Sequence, residues 1–182
     1  VQTDVTLLTM RCRQLSSTEA VQLERRLDED ETDLDSRTQL LGYYMLPSFR
    51  NSEVRARLLE HIFWIIQNRP DSGVAGALEM RLGHMNNEES KVARTLWLDH
   101  VAASPDNLAI LSNAARFMLR QDKDTAEELL GKGAALDPEN VEWVEHLASL
   151  YELQSPDAEQ GTEVARKAFE LRARALELVS GD

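Results

Sequence analysis

Apolar residues recur every three or four positions along most of the chain, the spacing of one face of an α-helix. The clearest stretch is 51–67, NSEVRARLLEHIFWIIQ, where Asn51 or Ser52 can cap the first turn. The stretches 107–119, 125–136, 141–153 and 162–178 follow the same spacing. No segment shows the sustained two-residue alternation of a half-buried strand. The pattern therefore predicts an all-α fold.

Two short motifs indicate where helices begin. Ser16 and Glu19 enclose one motif, and Thr125 and Glu128 enclose the other. In such a capping box the hydroxyl and the carboxylate each accept a backbone N–H of the first turn. We expect the first motif to open a helix near 18–28 and the second to open the helix over 125–136.

Proline-containing turns recur along the chain. The motifs RPDS, SPDN and DPEN place prolines at Pro70, Pro105 and Pro138, which are 35 and 33 residues apart. Proline ends a helix and presets the turn into the next one. A period in the low thirties is typical of stacked helix pairs.

The stretch 107–140 resembles a tetratricopeptide repeat, a helix pair of about 34 residues. Counted from Asn107, large, small and aromatic residues and a proline fall at the family's positions: Ile110, Ala114, Phe117, Ala126, Leu130 and Pro138. Asn113 and Gly133 depart from that pattern. The next unit matches at Val144, Leu147, Ala148 and Tyr151, and its second helix keeps the spacing from Ala165 to Phe169.

The resemblance extends over about 18–178 and is closest to bacterial tetratricopeptide-like proteins of unassigned role. It implies one repeat domain, 18–182, with units near 35–70, 73–105, 107–138 and 141–178 after an N-terminal segment, 1–17. The implied architecture is a right-handed superhelical stack of antiparallel helix pairs. The stretch 73–90 fits least well because it holds Gly73, Gly76 and Gly83, and we expect it to be the most mobile internal segment.

The pattern has a physical basis that does not depend on the family. Small residues at Ala114, Ala126 and Ala148 allow two helices to approach closely, and large residues fill the space between neighbouring pairs: Phe117, Leu130, Tyr151 and Phe169. One pair cannot bury its apolar stripe alone, so stacking supplies the core. We also expect Trp97 and Trp64 in the core, whereas Trp143 can be buried or exposed.

Charge restricts the class of partner. The formal net charge is −12, so the surface repels a phosphate backbone, and we expect no nucleic acid as main partner. The acidity serves solubility or favours a basic partner segment. No apolar run is long enough to span a bilayer, so no membrane insertion is expected. The chain begins at Val1, which indicates a trimmed or processed chain and leaves its compartment open.

Residues with catalytic or metal-binding chemistry are present without a recognisable arrangement. The single cysteine, Cys12, and four scattered histidines lack the spacing of a metal site; we interpret the histidines as surface or groove residues. Serines lack a Gly-x-Ser-x-Gly context, and Gly131-Lys132-Gly133 lies within a predicted helix. Acidic runs are typical of solvated turns. No catalytic residue, cofactor or metal site is predicted.

The resemblance implies a peptide-binding inner wall formed by the first helix of each pair. The repeat register places eight side chains there: Gln39, Tyr43, Ser112, Ala115, Met118, His146, Ser149 and Glu152. This mixed set lacks the Lys, Arg and Asn of the family's carboxylate clamp. The leading hypothesis is a non-catalytic scaffold for a protein or peptide partner. A structural unit that forms homo-oligomers is the alternative, and an enzyme or small-molecule binder ranks below both.

Overall fold

A computed structural model describes residues 15–77, 88–119, 121–154 and 163–180, and within these ranges it contains helices and no strand. The all-α prediction is confirmed for this part of the chain. The α-helices are α1 (Ser17–Glu29), α2 (Leu34–Met45), α3 (Ser52–Asn68), α4 (Glu88–Ala103), α5 (Leu108–Met118), α6 (Lys123–Leu136), α7 (Val141–Gln154) and α8 (Glu163–Ser180), and a short 3-10 helix, Pro47–Phe49, follows α2.

Side-chain caps fix most helix starts. The capping box of Ser16 and Glu19 is present, with the Ser16 N–H donating to Glu19 Oε2 at 2.8 Å. Asn51 accepts two N–H groups of α3, as predicted. The predicted box at Thr125 is wrong. The carboxylate of Asp122 accepts both the backbone N–H and the hydroxyl of Thr125, so α6 begins earlier, at Lys123.

The chain forms two compact units, Val1–Asp99 and His100–Asp182. In the first unit, α2 packs on both α1 and α3. Its apolar core is built by the inward stripes of these helices and includes five fully buried side chains: Leu40, Leu41, Ile62, Ile65 and Ile66. The single repeat domain over 18–182 stays a prediction.

The second unit places four helices in sequential contact, α5 with α6, α6 with α7, and α7 with α8. Ala114, Ala126 and Ala148 are fully buried, as expected for residues at which helices approach closely. Gly133 also lies at a close approach between helices. A Cβ atom built there would lie within 3.0 Å of three atoms of the Trp143 ring. Trp143, left open by the sequence, is therefore buried, with 3% of its surface exposed.

The packing predictions hold in part. Trp97 is fully buried as expected, whereas Trp64, also expected in the core, is only half-buried and lies beneath the guanidinium of Arg37. Phe117 and Leu130 are buried as predicted. Phe169 was expected to fill the core, but 74% of its surface is exposed. The helix α8 instead packs through alanines, of which Ala168 and Ala175 are buried.

Two expectations fall on residues outside the described ranges. One concerns 1–14 of the N-terminal segment, and the other concerns 78–87 of the irregular stretch 73–90. Within the described ranges, no helix is both long enough and apolar enough to cross a bilayer.

Candidate functional site

A buried polar network occupies the first unit. The Arg37 guanidinium donates to the Glu31 carbonyl from Nε at 3.1 Å and from Nη2 at 2.9 Å, and its Nη1 lies 3.3 Å from His61 Nδ1. Tyr44 donates its hydroxyl to Glu24 Oε1 at 2.6 Å, and His61 Nε2 lies 3.4 Å from the same oxygen. The network therefore links α1, α2 and α3.

The same contacts shift two ionisation equilibria. The pKa of Glu24 is lowered, chiefly by the hydrogen bond with His61, although burial opposes this. The pKa of Tyr44 is raised by burial and by its hydrogen bond to Glu24. His61 is 5% exposed and stacks on Tyr44 at 5.8 Å between ring centroids. Its interpretation as a surface or groove histidine is wrong, and its buried contacts indicate a structural role for the network.

The predicted wall residues of the first unit lie beside this network. Gln39 and Tyr43 are half-buried on α2. The Tyr43 ring packs edge-on against Tyr44 at 5.1 Å between centroids. Their role in binding stays a prediction.

The predicted wall of the second unit is only partly accessible. Ala115 and Met118 are completely buried on α5, so these two side chains offer no surface to a partner. The repeat register placed them on the wall, but the packing of α5 encloses them. Ser112, His146 and Ser149 are half-buried.

Intramolecular contacts engage several of the remaining wall residues. Arg116 donates to His146 Nε2 at 3.0 Å. Arg172 of α8 donates two hydrogen bonds to the Glu152 carboxylate, each of 3.0 Å, and one to Ser149 Oγ at 3.3 Å. A partner at this wall would therefore compete with existing contacts.

An open groove of about 590 Å³ lies elsewhere in the second unit, between α6, α7 and α8. Leu147 and Leu171 contribute its apolar surface, and Gly131 leaves one side open because no atom lies within 4 Å of where its Cβ would be. Five charged residues and a tyrosine complete the lining: Glu127, Glu128, Lys167, Glu170, Arg174 and Tyr151. None of the eight predicted wall residues lines this groove.

Contacts between helices organise the groove's polar rim. The Tyr151 hydroxyl of α7 donates to Glu127 Oε1 of α6 at 2.5 Å. The Lys167 ammonium of α8 lies 5.4 Å from the centroid of the Tyr151 ring, within the range of a cation–π contact. On α8, Arg166 pairs with Glu170 at 2.5 Å. Carboxylates and cations thus border the same apolar floor.

The hydroxyl of Tyr151 should lose its proton at a higher pH than an ordinary tyrosine. Its hydrogen bond to Glu127 raises the pKa of Tyr151 to about 12 from an ordinary 10.0. Because the folded pKa is the higher, this contact stabilises the fold fully below pH 10 and is lost as the pH rises through about 12. We expect the difference between the ultraviolet titrations of the wild type and Tyr151→Phe to have its midpoint near 12.

Glu127→Gln tests the cause of that shift. Removing the carboxylate should move the Tyr151 midpoint back toward 10, while circular dichroism confirms that the helices persist. A wild-type midpoint of 10 in the folded chain would show that the Tyr151–Glu127 hydrogen bond does not form.

Within the described part of the chain, no group of three His, Cys, Asp or Glu side chains is placed to hold an ion. His84 and Cys12 lie outside the described ranges.

No model of a known protein family matches the chain, and no curated protein or solved structure matches it either. Its function must therefore be inferred from its own surfaces and charges.

Proposed function

We propose that this chain is a non-catalytic protein-interaction module of tetratricopeptide-like helix pairs, and that its second unit holds a peptide segment in the groove between α6, α7 and α8. The observation that carries the proposal is the groove itself, about 590 Å³ in volume, with an apolar floor and a rim of both charges. Sites that hold small parts of a partner combine apolar walls with a few polar groups in this way.

The helix-pair interpretation is supported by close packing at the expected positions. The pairs α5–α6 and α7–α8 are each in contact, and the alanines at 114, 126 and 148 are fully buried. The right-handed superhelical arrangement is part of the proposal, because helix pairs that stack with a constant rotation produce such a curve.

The groove is a better binding surface than the wall of first helices. At the wall, two of the six predicted residues of this unit are buried, and Arg172 already holds Glu152. In the groove, Glu128 and Gly131 are exposed, and Leu147 and Leu171 are each half-buried. A peptide can therefore cover apolar area there without first breaking a bidentate ion pair.

The chemistry of the partner follows from the apolar floor of the groove and from the net charge of the chain. An apolar side chain of the peptide would lie on Leu147 and Leu171, and a basic residue would face Glu128, which lines the groove. The chain's net charge of −12 steers a basic segment toward it and should make association sensitive to salt.

Affinity capture with a groove-filling variant tests the proposal. The chain is used as bait in its native cell extract, and proteins captured by the wild type are compared with those captured by Gly131→Leu. A leucine at Gly131 enters open space, so it should fill the groove without disturbing the fold. We expect the captured amount of at least one wild-type partner to fall at least tenfold with Gly131→Leu. Its capture by the wild type should weaken as the salt concentration rises.

A double variant at the wall is the matched control. Tyr43→Ala combined with His146→Ala alters two predicted wall residues, and capture should survive it. If Gly131→Leu retains every partner and the double variant loses them, the partner binds the first-helix wall and the groove assignment is wrong. If both variants retain the same partners as the wild type, neither surface is the binding site.

A further inference from the structure

Helix α8 is apolar on two sides. One side packs on α7 through small residues, with Ala168 and Ala175 buried. On another side Phe169, Leu176 and Val179 are each more than 70% exposed. Phe169 and Leu176 are seven residues apart and Val179 follows three later, so the three share one side of the helix. We call these three residues the outer face of α8.

A comparison of α8 with α6 indicates that the outer face of α8 is suited to packing against another helix. In the repeat register, Phe169 of α8 corresponds to Leu130 of α6. Leu130 is fully buried, and α7 is the helix that follows and packs on α6. The equivalent side of α8 is open to water among the described residues. The side of α8 equivalent to a buried position instead presents a phenylalanine and a leucine.

The charges along α8 favour a second copy of the chain as the cover. The helix carries four basic residues against three acidic ones, although the chain as a whole has a net charge of −12. Two acidic copies would therefore repel each other less at this helix than the net charge of the whole chain implies. Arg166, which pairs with Glu163 and Glu170 of its own helix, flanks the beginning of the outer face, and Glu177 flanks its end on the same side of the helix. An antiparallel pair would bring Arg166 of one copy near Glu177 of the other.

We propose that the outer face of α8 binds the same face of a second copy in a two-fold antiparallel pair. Phe169 of each copy then lies opposite Leu176 of the other, which makes the contact self-complementary. The outer face is separate from the peptide groove, because Lys167, Leu171 and Arg174 line the groove from a different side of α8, although Arg166 pairs with Glu170 of the groove rim. Either assignment can fail without the other.

Molar mass in solution tests self-association. Light scattering during size-exclusion chromatography should give a mass near twice that of the chain, falling toward the chain mass on dilution. Leu176→Arg and Phe169→Glu should each give the monomer mass at every concentration. Both side chains are largely exposed, so helical content should change little. Val21→Glu, which alters a half-exposed valine of α1, is the matched control and should remain a dimer.

Single cysteines introduced into a Cys12→Ser background test the antiparallel geometry. Ala173 lies near the centre of the proposed pair, so Ala173→Cys should form an intermolecular disulfide readily. Ser180 would lie roughly 20 Å from its counterpart at 1.5 Å per residue, which is too far for a disulfide. Ser180→Cys should therefore remain reduced, whereas a parallel pair would cross-link at both positions.

Three results would overturn the proposal. The first is a monomeric wild type at all concentrations. The second is a dimer that persists in both Leu176→Arg and Phe169→Glu. The third is a monomeric wild type that captures another protein through the outer face, with capture lost in those two variants; the cover would then be a different partner.

Discussion

Gly133→Ala should destabilise the second unit by about 1–3 kcal/mol, whereas Gly131→Ala, on the same helix, should stabilise it by about 0.5–1 kcal/mol. Both substitutions add one methyl group to the interior of α6. Alanine lowers the backbone entropy of the unfolded chain, which favours folding at either position. The two positions differ in the space available to the new methyl group.

That space is set by Trp143 of α7. A Cβ at Gly133 would meet the Trp143 ring closer than 3.0 Å, while a Cβ at Gly131 meets nothing within 4 Å. Chemical denaturation followed by circular dichroism gives both free energies of unfolding. The Trp143→Leu background should relieve much of the cost of Gly133→Ala, because the two positions are in contact and their effects should couple. Two stabilising alanines would contradict the close approach of α6 and α7.

Arg37→Ala should cost the first unit about 2–3 kcal/mol in free energy of unfolding. Arg37 is 8% exposed, and its guanidinium donates two hydrogen bonds to the Glu31 carbonyl and lies 3.9 Å from the centroid of the Trp64 ring. Hydrogen bonds from a charged donor contribute more than neutral ones, and stacking on the indole adds to them. Arg37→Lys should recover little, since an ammonium has neither the planar fork nor the stacking surface.

Arg57→Ala is the matched control for this network. The Arg57 side chain is 59% exposed and lies 3.9 Å from the Glu24 carboxylate. An exposed ion pair of that kind contributes about half a kcal/mol. Denaturation midpoints measured under identical conditions compare the two variants. Similar midpoints for Arg37→Ala and Arg57→Ala would mean that the Arg37 contacts do not hold α2 and α3 together.

Local signals in the sequence predicted the helices because they depend on neighbours along the chain. The apolar spacing of 51–67 and the capping box at Ser16 needed no distant residue. Thr125 was misassigned because Asp122, three residues earlier, offers a competing acceptor for the same backbone N–H. The positions of the buried alanines followed from the repeat pattern, which encodes the contacts between paired helices.

Features that depend on distant residues could not be predicted. Burial of Trp143 depends on a missing side chain at Gly133 of another helix. The burial of His61 depends on Arg37 and Glu24, which lie on two other helices. The groove is formed by side chains from three helices. The repeat register predicted the eight wall residues as the binding surface, and none of them lines the groove. Phe169 fits the repeat pattern, yet no described helix covers it.

Photo-cross-linking of a captured partner tests the groove most directly. A photo-reactive side chain is placed at Glu128, which lines the groove, or at Glu152, which belongs to the predicted wall, so the comparison uses two exposed glutamates of the second unit. Groove binding predicts that the partner cross-links from position 128, that it does so far less from 152, and that Gly131→Leu abolishes the product. Cross-linking from position 152 that survives Gly131→Leu, with none from 128, would contradict it.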